Sequence, residues 1–215
     1  MHPIAAIELA IIDRLKRGMG RMVRDVCSYG GELDGDVADV VRALPCAWVT
    51  FGGVHKTTPT STSRSKYKAD GRFVVIVGDR AIRSEHASRH GGARSDEVGT
   101  YPLLYAVRYL LANQDLGMKI SALQPGRIRT LFNTKLNDQG LSVFGCEFDV
   151  SWIEETLPNE TWPAPQSDAD DTQLFAKYGC ELGVPAPDWL TTHLGYDLTN
   201  TAVSPDVESV IQHEP

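Results

Sequence analysis

Two runs, Cys46-Ala-Trp-Val-Thr-Phe51 and Phe73-Val-Val-Ile-Val77, decide the fold. Both are β-branched and aromatic, and neither alternates apolar with polar residues, which is the pattern of strands covered on both faces. They are therefore expected to be the central strands of a sheet. The 17 residues from Val54 to Asp70 between them are too many for a tight hairpin. They are mostly Thr, Ser, Lys and Arg, which predicts a projecting arm or a disordered loop, and a long polar loop inside a compact domain usually serves a function.

Working outward, Asp79 to Asp96 reads as a second irregular, basic excursion carrying Arg80, Arg83, Arg89 and Arg94 with His86 and His90. Thr100 is expected to cap a helix whose core face is Leu103, Leu104, Val107, Leu110 and Leu111. Tyr101, Tyr105 and Tyr109 repeat every four residues along a neighbouring stripe, either a core margin or a subunit interface, since aromatics are enriched at both. Arg127 to Phe132 and Leu141 to Val150 look like a closing hairpin around Asn-Asp-Gln-Gly at 137–140. In its second strand Glu147 and Asp149 share the face opposite Phe144, Cys146, Phe148 and Val150, which predicts a half-exposed strand.

Toward the N-terminus, Pro3 suits the first turn of a helix on which Ile4, Ile7, Ile11 and Leu15 recur near helical period, ended by Gly18 and Gly20. Met22 to Tyr29 is a candidate short strand. Asp36 could cap a short helix carrying Val37, Val40, Val41 and Leu44, terminated by Pro45. The fold expected is α/β in the α+β sense: a mixed, mostly antiparallel sheet flanked by two or three helices, with a long arm loop and an extended C-terminal segment.

The chain of 215 residues, 42% hydrophobic, supports one sizeable core plus an appendage. Its net charge of -7 is unevenly placed. Residues 1–150 hold 20 Lys and Arg against 16 acids, about +4, whereas 151–215 hold Lys177 against 12 acids, about -11. A slightly basic body, 1–150, and an acidic, proline-bearing extension, 151–215, are expected to have different partners. Pro158, Pro163, Pro165, Pro185, Pro187 and Pro205 interrupt any long element there. Trp152, Trp162, Phe175, Tyr178, Trp189, Leu190 and Tyr196 remain as isolated anchors, which favours an extension lying along the body or a neighbouring subunit over a free tail.

Catalytic chemistry is sparse. Cys27, Cys46, Cys146 and Cys180 form no CxxC pair and are expected to be reduced, buried and non-ligand. His86 and His90 would share a helical face, but the Glu that a zinc protease needs after the first His is missing and no third ligand is evident. The pairs Gly30-Gly31, Gly52-Gly53 and Gly91-Gly92 fit no phosphate loop and read as turns. Glu32, Asp34, Asp36 and Asp39, with Lys56, are the nearest thing to a metal-dependent nuclease centre, against a solvated turn and helix start. No metal or cofactor is expected, and an enzyme is not. The arm's His55, Lys56, Arg64, Lys66 and Lys68 are the best candidates for contact with nucleic acid or an acidic protein surface, including the acidic extension of an adjacent subunit.

Several strings in order carry a family resemblance: Ser28-Tyr-Gly-Gly-Glu-Leu33, Ala47-Trp-Val-Thr-Phe-Gly-Gly53, Leu110-Leu-Ala-Asn-Gln-Asp-Leu-Gly117, Pro125-Gly-Arg-Ile-Arg-Thr-Leu-Phe-Asn133 and Leu141-Ser-Val-Phe-Gly-Cys-Glu-Phe148. Over about residues 4–150 the chain resembles the tail proteins of Mu-like phages and prophages encoded just ahead of the tail sheath. The resemblance implies a tail terminator: a ring, six subunits being the expectation, that caps the tail tube, stops its polymerisation and meets the head connector. It implies a homo-oligomer with tail tube protein and head–tail connector protein as partners, the sheath too in a contractile tail, and DNA passing through the channel. It offers no catalytic residues. The expected place is the virion tail or neck, assembled in the host cytoplasm, with no membrane partner. A head–tail connector or completion protein of the neck is the alternative, and a metal-dependent nuclease a more remote one. Under any of these readings Lys56, Arg64, Lys66 and Lys68 on the arm and Arg80, Arg83, Arg89 and Arg94 on the second excursion are the candidate interface residues, with Tyr101, Tyr105 and Tyr109 as a candidate subunit interface.

Overall fold

The computed structural model describes residues 2–31, 44–81, 89–91, 98–136, 139–167, 170–183, 191–196 and 207–212. The chain divides into two compact units, Met1–Pro158 and Asn159–Pro215.

In the first unit, helix α1 (Pro3–Met19) leads through a single 3-10 turn (Gly20–Met22) to strand β1 (Asp25–Ser28). Strands β2 (Cys46–Pro59) and β3 (Lys66–Ala81) follow, then helix α2 (Thr100–Leu111) and strands β4 (Gln124–Leu136) and β5 (Gln139–Glu155). The sheet order is β1-β2-β3-β5-β4. Only the β1–β2 pairing is parallel; the other three are antiparallel. The expected mixed, mostly antiparallel sheet with flanking helices is what forms.

Both helices lie on one face of the sheet. Pro3 opens α1 as expected, and Ile7, Ile11 and Leu15 are fully buried one turn apart, against Ala47, Val49, Val75 and Val77. Gly18 does not end α1. It is a glycine inside the helix because Leu110 of α2 lies where a side chain would go: a Cβ there would sit 2.6 Å from the leucine methyls. The Arg14 guanidinium donates to the Leu110 carbonyl at 2.6 Å, fastening the same crossing. On α2 the buried residues are Leu103, Leu104, Val107 and Leu111, with Leu110 at the margin.

Thr100 is not the cap of α2. Gly99 occupies the cap position with φ 84°, and Thr100 is buried in the first turn with its hydroxyl 3.3 Å from that of Ser142. The start of the helix is held by Asp79, whose buried carboxylate accepts the Gly99 N–H at 2.6 Å and the Arg80 N–H at 2.8 Å.

The segment 54–70 projects as expected, but as strand. β2 runs on to Pro59 and β3 starts at Lys66, leaving a short tip between them, and β5 continues beside β3 to Glu155. The polar composition does not mark a loop because, outward of the buried Ala69, both faces of the arm are mostly wet, so neither needs the apolar alternation of a half-buried strand. Shifts in register at Phe51/Val54 and Val54/Lys56 bend β2 where the arm leaves the core. Its root is aromatic: Phe51 lies 5.2 Å from Phe73 and 6.3 Å from Trp152, ring to ring. Phe73 and Trp152 are fully buried, worth about 1.5–3 kcal/mol each, against at most about 1 kcal/mol for an exposed ion pair farther out. Burial at the root, rather than charge along the arm, holds it in place.

Trp152 thus belongs to the core, and β5 carries the first unit past residue 150. In the second unit a short helix α3 (Gln173–Lys177) and a two-stranded antiparallel sheet of β6 (Thr191–Tyr196) and β7 (Val207–Gln212) form where the sequence pattern had faded. Trp162, Phe175, Tyr178 and Tyr196 are exposed there. Trp189 and Leu190 lie outside the described residues.

Candidate functional site

The expected strand with one wet face is not half exposed. β5 lies between β3 and β4, and Glu147 on its outer face is buried under arginine side chains. Arg72 reaches Glu147 at 2.5 Å and Asp149 at 2.8 Å, and Arg129 reaches Glu147 at 2.9 Å. Fork-like contacts of this kind are among the stronger charged hydrogen bonds. The bond to Asp149 is the main influence raising the Arg72 pKa further. The two arginines cover the carboxylates of this face, which also carries a second buried cluster of Leu44, Cys46, Trp48, Ile76, Leu141 and Val143.

Two of the arm's four Lys and Arg side chains are paired within the chain. Lys66 pairs with Glu155 at 2.6 Å and Lys68 with Asp70 at 2.9 Å. The tip is stitched by Ser61, Ser63 and Ser65 hydroxyls and by Thr156, whose N–H donates to the Ser65 carbonyl at 3.0 Å. That leaves Arg64 at the tip, with φ 54°, and Lys56, opposite Asp70 on β2, without an ion pair among the described residues. Glu154 and Glu155 belong to the acid-rich C-terminal stretch of the sequence, so part of that acidity meets the arm in the same chain.

A polar recess of about 370 Å³ at the base of the arm is lined by His55, Lys68, Asp70, Gln124 and Asp149 among others. The Ser151 hydroxyl, donating to Asp70 at 2.6 Å, and then Lys68 hold the Asp70 carboxyl below the ordinary carboxylate range. A carboxylate depressed in the fold stabilises it above the unfolded value, about pH 4, and that contribution is lost as pH falls through the folded value. In urea titrations between pH 7 and pH 3, Asp70→Asn is therefore expected to show a smaller acid-side loss of stability than the parent chain. An equal loss would contradict the pairing.

Of the second excursion, Arg80 lies half-buried just before β3 ends at Ala81, and Arg89 is half-buried as well, so neither is a freely exposed cation. Arg83, Arg94 and His86 lie outside the described residues. His90 meets Tyr101 edge-on, ring centroids 5.0 Å apart. Glu32, Asp34, Asp36 and Asp39, and the helix expected around them, are also outside the described residues; Lys56 is on the arm. Among the described residues no group of three or more His, Cys, Asp or Glu could hold a metal ion. All four cysteines are free. Cys46 and Cys146 are buried as expected, Cys27 is half-buried and Cys180 is exposed, contrary to expectation. Burial, chiefly, pushes the Cys46 thiol up to about 12, which makes it inert.

The tyrosine stripe of α2 resolves in favour of the surface. Tyr101 packs against Phe144, ring centroids 5.9 Å apart, but Tyr105 and Tyr109 are 69% and 74% exposed and stack on each other at 5.8 Å with 21° between their planes. Two large rings held parallel on a rigid helix, with their outer surfaces in water, form an aromatic platform of the kind enriched in protein interfaces.

A model of the family described as Bacteriophage Mu, Gp37 matches residues 3–153, more than two thirds of the chain. The chain belongs to the bacteriophage Mu Gp37 family. The Gp37 match runs from the first turn of α1 to within two residues of the end of β5, so it takes in the aromatic platform and the arm, and it leaves out the second unit. A chain in the solved virion of a native gene transfer agent (GTA) particle is similar at 14% identity and a TM-score of 0.40, covering 71% of this chain and 100% of that one. No curated protein matches. Among the described residues, no helix of this Gp37-family chain is long and apolar enough to cross a membrane.

Proposed function

We propose that this Gp37-family protein is a structural component of the phage virion, a tail terminator without catalytic activity. It forms a ring of six copies that caps the tail tube, stops its polymerisation and presents a surface to the head connector, having been assembled in the host cytoplasm. The observation that carries this reading is the exposed, stacked Tyr105–Tyr109 pair: a platform of that size on a rigid helix suits a protein–protein contact. A closed ring needs two different surfaces that meet from copy to copy, and the platform on the helical face supplies part of one of them. The Gp37 membership places the chain in a phage family, and the order of the motifs quoted above resembles proteins made beside the sheath. The arm, with Arg64 and Lys56 still available, is the part of the body suited to reach an acidic tube or connector protein. The acidic second unit serves as an extension with partners of its own.

Electron microscopy of the full-length protein mixed with purified tail tubes tests this. Rings in the protein alone, and the same rings seated on tube ends, are expected. A monomer that leaves tube ends bare would overturn the proposal, and capture by the connector but not by the tube would replace it with a connector or completion role.

A further inference from the structure

Two open β-edges stand out. The first is β4, which pairs only with β5; among the described residues no strand lies along its other side. From Ile128 to Leu136 it contains no proline, so about every second residue can turn its N–H and carbonyl to the open side, and after the shift at Thr130/Phe132 the pairing runs regularly to Leu136. Ile128 and Leu131 are each 44% exposed on this strand. The surrounding sequence carries Lys119, Arg127, Arg129 and Lys135 and no acid between Asp115 and Asp138. Arg129 is engaged with Glu147, and Arg127 has no ion pair among the described residues.

The second is the β6–β7 hairpin. Its strands are six residues long and, among the described residues, pair only with each other, which leaves both outer edges without a partner strand. Leu194, Tyr196, Val210 and Ile211 are all exposed on it. A lone two-stranded hairpin is at best marginally stable in water, and three or more strands with a buried face are needed. Its unit carries Lys177 against ten acids over 159–215, and β7 itself carries Glu208 and no base. An acidic, apolar strand with a free edge and a basic, apolar strand with a free edge are complementary in backbone, in side chain and in charge.

We propose that β7 of one copy adds to the β4 edge of a second copy, extending that five-stranded sheet by the β6–β7 hairpin. Donor and acceptor are different surfaces of the same chain, so the contact repeats head to tail without exhausting itself, as a ring requires. The identity of the partner as a second copy rests on the ring reading above.

The test uses the full-length chain in a Cys180→Ser background. One preparation carries Thr130→Cys on β4 and another Val210→Cys on β7; Arg127→Cys with Gln212→Cys is a second pair, in case one substitution perturbs the fold. The two preparations are mixed, treated with a short bismaleimide, run on a denaturing gel and imaged by electron microscopy. A covalent dimer at least tenfold more abundant in the mixture than in either preparation alone is expected. Rings without that dimer, for both cysteine pairs, would overturn the hairpin addition and leave the ring reading standing. The dimer without rings would do the reverse. A link formed only within a single chain carrying both cysteines, and none in the mixture, would mean that the hairpin closes on its own sheet and would also overturn the proposal.

Discussion

Replacing Tyr105 and Tyr109 together by alanine is expected to weaken self-association on the order of a hundredfold while leaving the melting temperature of the separated subunit almost unchanged. The two rings are 69% and 74% exposed, so they contribute little to the core, and truncating them creates no cavity. What they offer a neighbour is a flat, pre-stacked surface whose side-chain order is already set, which lowers the entropy lost when it docks. Aromatic anchors at the centre of an interface commonly cost about 2 kcal/mol or more when truncated, and two acting as one platform give the stated factor. Sedimentation over a range of concentrations reads the association, and a thermal melt reads the fold. Tyr101→Ala serves as the contrast: Tyr101 packs on Phe144 and His90, so its loss should lower the melting temperature. An unchanged assembly in the double variant would remove α2 from the interface.

The largest effect on folding is expected from Gly99→Ala, on the order of 3 kcal/mol of destabilisation. Gly99 sits at φ 84°, where a side chain strains the backbone, and a Cβ would fall 2.3 Å from the Gly91 nitrogen and 2.7 Å from the Arg89 carbonyl oxygen. These are backbone atoms, which cannot rotate aside as a leucine methyl can. Any shift of Gly99 also breaks its 2.6 Å bond to the buried carboxylate of Asp79, which would be left with one fewer donor. For a chain of this size the cost corresponds to a fall in melting temperature of about 6–12 °C. A lower urea midpoint at unchanged slope would show that the native state, and not the unfolded one, is affected. A variant as stable as the parent would mean that 89–91 does not pack against the start of α2.

The central sheet was legible because its apolar runs are dense. Cys46 to Phe51 and Phe73 to Val77 each lie between covered faces, and the helical period of Ile7, Ile11 and Leu15 is regular. The arm was read as polar and projecting but not as strand, since β-propensity is weak where packing does not enforce alternation and the ladder with β5 is a contact far away in sequence. Glu147 misled for a related reason. A carboxylate in a strand signals water unless arginines from neighbouring strands close over it, and Arg72 and Arg129 stand 75 and 18 positions away. The β6–β7 pair left little trace because its strands are only six residues long and their apolar residues are few and spaced among polar ones. The tyrosines of α2 were visible by spacing, yet spacing of four places them equally well beside the core or away from it; only the position of α1 across the sheet decides which.

The uninterrupted ladder between β3 and β5, from Lys66↔Glu155 to Ala81↔Gly140, has a mechanical consequence. Along β3 and β5 the arm and the core share the same strands with no break in register, so on this side the arm behaves as a cantilever and not as a flap. A pull applied at the tip along the strand direction loads many backbone hydrogen bonds in shear at once, which resists far more force than peeling them one after another. Whatever grips the tip near Arg64 is therefore geared directly to the buried aromatics at the root, and a load taken up at one end of the protein is delivered to its most tightly packed part.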